Sequence, residues 1–134
     1  MFDARNSNKP LVRVIDDDDA MRNSWSFIIE GEGWDVATYP DALTFLSMGN
    51  WQRPGCILLD VRMPHMSGLE LQFKLREIGC DLPIIFISGH GDIDMAVHTL
   101  KHGAMDFLTK PVSDQRLLEA IEAAVSRNLA HRRN

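Results

Sequence analysis

The sequence predicts a doubly wound α/β sandwich, a parallel sheet covered by helices on both faces, and three observations carry that prediction. Five short apolar runs, rich in β-branched residues, alternate with five stretches whose apolar residues recur at helical spacing. One of the runs, CILL at 56–59, shows no polar alternation, which is how a strand covered on both faces reads, and PIIFI at 83–87 is strongly β-branched. The connections are short and hold Gly, Pro or Asp, the punctuation of βαβ units with right-handed crossovers.

Each element has its own signal. Residues 1–9 are polar and aperiodic and are expected to form a flexible leader. LVRVI at 11–15 is a short strand that runs into four acids, Asp16 to Asp19. Asp17 or Asp18 is a good N-cap for the helix that follows, and further acids suit its positive end. Met21, Trp25 and Ile28 follow at helical spacing, with Phe27 and Ile29 beside them, until GEG at 31–33. A second strand spans 34–38, and DALTFLSM at 41–48 makes a short helix. WQRPG then turns the chain into the third strand. The next helix, 67–78, places Leu71, Leu75 and Ile78 on one face, with Leu69 and Phe73 beside them and Glu70 and Lys74 as an outer pair. PIIFI is the fourth strand. Asp92 is expected to cap a helix with Ile93, Ala96, Val97 and Leu100 on one face, closed by Gly103. MDFLT at 105–109 is the fifth strand. The last helix runs from about 113 to 128, and 129–134 reads as the start of a linker or C-terminal tail.

Bulk properties narrow the function. With 134 residues the chain has room for one ordinary domain, here 10–128. The net charge of −5 argues against a nucleic-acid-binding surface on this domain. No apolar run approaches a membrane span of about 20 residues, and no signal peptide precedes the domain, so a cytoplasmic location is expected. Cys56 and Cys80 lack metal-type spacing; Cys56 is expected in the core.

The polar residues at the strand ends carry the chemistry. The first strand ends on Asp16 and Asp17, the third on Asp60, the fourth on Ser88 and the fifth on Lys110. In a sheet ordered 2-1-3-4-5 these four strands are neighbours and open on one rim, where such folds bind ligands. Three carboxylates in one cleft raise each other's pKa unless a cation intervenes. Hard oxygen donors without His or Cys select Mg2+, or Mn2+, with Asp16, Asp17, Asp60 and the backbone carbonyl of Arg62 as the expected ligands. An ionised Asp60 can then serve as a nucleophile toward phosphorus, while Ser88 and Lys110 hold phosphoryl oxygens.

Together VIDD (14–17), LLDVRMPHMSG (58–68), ISGHGD (87–92) and DFLTKP (106–111) resemble the CheY-like receiver domain of two-component response regulators, most closely the FixJ/NarL-type branch. The resemblance covers residues 10–128. It implies the flavodoxin-like (βα)5 three-layer sandwich, with Asp60 accepting a phosphoryl group from a sensor histidine kinase. It further implies Asp16 and Asp17 as the acidic pair, Lys110 as the site lysine, Ser88 and Phe107 as switch residues, and a cis Lys110–Pro111 bond. The expected output surface lies on the fourth helix, fifth strand and fifth helix, where phosphorylation would control a homodimer. A covalently linked DNA-binding output domain is expected in the full-length protein. Enzymatic activity is then confined to the domain's own phosphorylation and dephosphorylation.

Two other readings share some ingredients. An Asp-nucleophile phosphohydrolase of the haloacid-dehalogenase kind needs a second Asp two residues on, where this chain has Arg62. A phosphorylation-independent binding module would not need the full acidic, hydroxyl and ammonium set. His98 and His102 have metal-ligand spacing on a helix, but without a third ligand they read as a solvated face.

Overall fold

The computed structural model describes residues 8–89 and 93–133. Residues 1–7 of the expected leader, and His90, Gly91 and the expected cap Asp92, lie outside the described residues. The elements follow in order as β1 (Leu11–Ile15), α1 (Asp19–Gly31), β2 (Asp35–Tyr39), α2 (Ala42–Met48), β3 (Gly55–Asp60), α3 (Gly68–Glu77), β4 (Ile84–Ser88), α4 (Ile93–Lys101), β5 (Asp106–Thr109) and α5 (Asp114–Arg133). All four strand pairings are parallel and the sheet order is β2-β1-β3-β4-β5, as the sequence predicts.

Side-chain alternation along the strands divides the core into two layers. Val12, Val14, Cys56, Leu58, Ile85 and Ile87 point toward α1 and α5, whose Trp25, Ile29, Leu117, Ile121 and Ala124 close that side. Ile15, Ile57, Leu59, Ile84 and Phe86 point the other way, toward α2, α3 and α4. Burying a side chain such as Leu59 or Phe86 completely is worth about 1.5–3 kcal/mol. Burial also drives the Cys56 thiol up to about 12.

Local signals set the helix starts. Asp18 caps α1 by accepting from the Met21 N–H at 3.1 Å, and Asp41 caps α2 through the Thr44 N–H at 2.7 Å. Ser67 and Glu70 form a reciprocal capping box on α3, and among the described residues no ion pair joins Glu70 to Lys74. Gly68 has to be glycine for a steric reason: a Cβ there would meet the Asp60 carbonyl oxygen at 2.5 Å. The first turn of α3 is therefore pressed against the end of β3.

Four helices differ in detail from the sequence reading. On α1 Trp25 and Ile29 are buried, while Phe27 is 82% exposed. On α3 Leu71 and Leu75 face inward, but Phe73 and Ile78 lie outside. The largest departure is α4, where Ile93, Val97 and Leu100 are exposed and the buried residue is Thr99. This helix docks through Met95 and Thr99, because the Thr99 carbonyl accepts from the buried Gln72 amide at 3.0 Å and from the Ala104 N–H at 3.0 Å. Finally, α5 continues through the expected tail to Arg133. Arg132 binds both carboxylate oxygens of Asp81 as well as the carbonyls of Trp51 and Gln52.

Candidate functional site

The four strand ends named by the sequence meet on one rim. Asp16 stands one residue beyond β1 and is buried, Asp17 follows it and is exposed, and Asp60 ends β3 half-buried. Each offers a carboxylate oxygen within 4.8 Å of the others, and this is the metal-capable cluster found among the described residues. Ser88 ends β4, is 3% exposed and lies opposite Thr109 in the register. Its carbonyl accepts from the Lys110 N–H at 2.8 Å, which fixes the start of the β5–α5 loop against the site. The Lys110–Pro111 bond is cis. The Lys110 ammonium reaches Asp16 at 4.0 Å, the limit of a direct ion pair.

Electrostatics follow from this crowding. Burial raises the Asp60 pKa to about 6, and the charge on Asp16 adds to the shift. Lys110 and the Arg62 N–H, 3.3 Å from one Asp60 oxygen, pull the other way. Asp16 is also raised by burial, against the Asp18 N–H at 2.9 Å and the Lys110 charge. Packed this way, the carboxylates lack enough positive charge from the chain to offset them. Their oxygen-only donor set is what a small hard cation requires, and no His or Cys belongs to it.

Two features of the site had no sequence signal of their own. Arg22, on the first turns of α1, donates to the Asp16 carbonyl at 2.8 Å and pairs with Asp19, so it holds the acidic turn from below. Its only sequence trace is a cation six residues after Asp16. Beside the acids lies a groove of about 570 Å³ lined by Asp17, Arg62, Met63, Leu69 and Met95, which joins the β3–α3 loop to α4. His65 in that loop takes φ 69°, a left-handed conformation uncommon for a non-glycine residue. Phe107 is half-buried, its ring centroid 6.4 Å from that of Phe86. His98 on α4 and His102 just past its end are exposed with ring centroids 4.3 Å apart, and no third ligand joins them among the described residues.

Comparison with known proteins agrees with the geometry. The family model described as the response regulator receiver domain matches residues 12–122. The response regulator protein TodT of Pseudomonas putida (strain F1) is 48% identical over 115 residues, covering 86% of this chain and 51% of TodT. The transcriptional regulatory protein FixJ of Azorhizobium caulinodans is 44% identical over 117 residues, covering 87% of this chain and 56% of FixJ. The chain thus spans about half the length of these curated relatives. Among solved structures, the response regulator StyR superposes with a TM-score of 0.88 at 44% identity, covering 93% of this chain and 63% of StyR. The FixJ-N crystal structure gives 0.81 at 36% identity, covering 89% of this chain and 95% of FixJ-N. Because the match runs from β1 into α5 and takes in every strand end on the rim, this chain belongs to the receiver domains of response regulators.

Proposed function

We propose that the domain is a phosphorylation-dependent switch of a two-component system, with Asp60 as phosphoacceptor. The observation that carries this reading is the carboxylate cluster of Asp16, Asp17 and Asp60 at one rim with the Lys110 ammonium beside it. With its pKa near 6, Asp60 is mostly ionised at neutral pH and keeps a lone pair for attack. Its oxygen forms the new O–P bond as the N–P bond of a kinase phosphohistidine breaks. The bonding pair returns to the imidazole, which leaves neutral when its other nitrogen carries a proton. Lys110 and Ser88 stabilise the charge spread over the equatorial oxygens. Asp16, Asp17, Asp60 and the Arg62 carbonyl would hold Mg2+ or Mn2+, which when bound supplies the positive charge that the carboxylates and phosphoryl oxygens lack.

The added phosphoryl group brings about −1.5 to −2 charges and three acceptor oxygens. Ser88 turns toward it and Phe107 follows inward, which alters the α4–β5–α5 face. The exposed Ile93, Val97 and Leu100 on α4 support that face as an interaction surface for a homodimer. The donor is a sensor histidine kinase, and the output is a covalently linked DNA-binding domain in the full-length cytoplasmic protein, so the switch regulates transcription. The domain has no other enzymatic activity and does not itself bind DNA.

Incubation with Mg2+ and acetyl phosphate should give one phosphoryl adduct by intact mass on the wild type and none on Asp60→Asn. Turnover of many phosphate esters would point instead to a hydrolase, and no wild-type adduct to a binding module. Ser88→Ala should leave Asp60 labelling largely intact while abolishing phosphorylation-dependent dimerisation. Equal dimerisation in that variant would sink the relay.

A further inference from the structure

On the edge of the sheet opposite Asp60, a cavity of about 390 Å³ lies where the C-terminal ends of α3, α4 and α5 converge on the starts of β4 and β5. Its rim holds five basic side chains, Arg76, Lys101, His102, Arg127 and His131, all exposed. Its floor is partly apolar, with Leu75 2% and Leu82 5% exposed and Met105 half-buried, and partly polar, with the buried amides of Gln72 and Asn128. The one carboxylate in the lining, Asp81, is already bound by Arg132 at 2.8 Å. Among the described residues none of the five rim cations makes an ion pair. Arg127 rests instead against the Met105 sulfur at 3.1 Å, and Arg76 donates to the His102 carbonyl at 3.2 Å.

Basic residues near helix C-termini have an ordinary explanation, since they offset the negative end of the helix dipole. Magnitude decides against that as the whole account. Three helix ends supply about half a negative charge each. Arg76, Lys101 and Arg127 alone carry three full positive charges, before either histidine is protonated. The excess sits on a chain whose net charge is −5. Cations drawn together around a partly apolar floor, with their one lining carboxylate already bound by Arg132, fit an anion with an apolar portion. A volume within the range of about 300–1,000 Å³ typical of small-ligand sites favours a small molecule over an extended peptide.

We propose that this cavity binds a phosphate ester whose body carries both apolar and hydrogen-bonding surface, the chemistry of a nucleoside phosphate. Arg76 and Arg127 take the phosphate through their planar donor forks, and Lys101 adds a point charge. The body lies over Leu82 and Met105. The site is separate from the phosphoacceptor rim and uses none of its residues.

The test is a titration of the 15N-labelled chain at low salt with adenosine monophosphate and, in parallel, inorganic phosphate. Saturable shifts should be confined to Gln72, Arg76, residues 101–105 and residues 127–131, with the nucleotide binding at least roughly tenfold more tightly than inorganic phosphate. The Arg76→Gln/Arg127→Gln double variant should lose roughly tenfold or more in affinity and label at Asp60 like the wild type. If that variant melts early by circular dichroism, Lys101→Gln takes its place and should weaken binding severalfold. Three outcomes of these titrations overturn the proposal. They are no saturable shift, shifts scattered over other surface cations, and inorganic phosphate matching the nucleotide, which leaves an electrostatic patch only. A Glu-rich peptide binding more tightly than the nucleotide overturns it as well, in favour of a protein-docking surface.

Discussion

At the amino end of the sheet the buried Arg13 has its three guanidinium nitrogens on backbone carbonyls, whereas at the carboxyl end Asp16 and Asp60 are crowded by burial and by each other. Arg13 reaches Leu11 at 2.8 Å, Asn50 at 2.5 Å and Arg53 at 2.6 Å, and so binds the loop before β3 to the sheet. Burial lowers its pKa to about 10, which still leaves it charged at neutral pH. The amino end continues this pattern. Asn128 accepts from the Gly55 N–H at 2.9 Å, and Arg132 binds Asp81 and the loop carbonyls of Trp51 and Gln52. A buried charge with all its donors used fixes a structure. Carboxylates held together without enough counter-charge leave a site ready to take up a cation or change its charge. One sheet therefore carries a clamp at one end and a reactive rim at the other.

Substitutions should break that contrast unequally. Arg13→Ala strips several buried carbonyls of donors and opens a cavity, so it should cost about 3 kcal/mol or more, read as a lower urea midpoint. A loss under 1 kcal/mol would mean that water replaces the guanidinium, and the clamp idea would fail. Asp60→Asn should act in the opposite direction in chelator-treated protein, because it removes one of three mutually repelling carboxylates. After discounting for solvent screening at this partly exposed rim, the gain is on the order of 1 kcal/mol. A lower melting temperature in the variant would show that the rim is not under electrostatic strain. The smallest effect belongs to Asp81. Its hydrogen bond to Arg132 lowers its pKa, so the pair contributes above the unfolded-state pKa, about 4, and is lost as pH falls through the lower folded value. With both side chains partly exposed, the contribution is about 0.5–1 kcal/mol. The stability gap between wild type and Arg132→Gln should be constant near neutral pH and close in acid. A gap that persists in acid would assign the role of Arg132 to its bonds with Trp51 and Gln52.

What could be read from the sequence followed the same division. The rim was legible because its acids, hydroxyl and lysine each terminate an apolar run, so one periodicity argument placed all four strand ends. The two-sided burial of β3 was legible in its unbroken apolar run. Arg13 was not, because a charge inside LVRVI gives no sign of where its partners lie, and two of those partners are carbonyls 37 and 40 residues away. The true end of α5 was hidden likewise: Arg132 reads as tail polarity until Asp81, 51 residues earlier, is brought beside it. On α4 the sequence offered an apolar stripe through Ile93, Val97 and Leu100, and the helix instead turned Thr99 inward. A helix can bury one face only, and the buried Gln72 amide made the Thr99 face the better fit. Periodicity finds an amphipathic helix but does not choose between two adequate faces.

The bond between the Asn128 side chain and the Gly55 amide has a consequence on the timescale of hydrogen exchange. That amide is the first of β3, the strand that ends on Asp60, and the acceptor that covers it belongs to the last helix. Gly55 can trade its proton for deuterium only when α5 lifts from the sheet or β3 itself opens. Its protection factor is thus a single-residue clock for how often the last helix undocks. If an event at Asp60 loosens that helix, the clock will run faster, with no label or mutation introduced near either end.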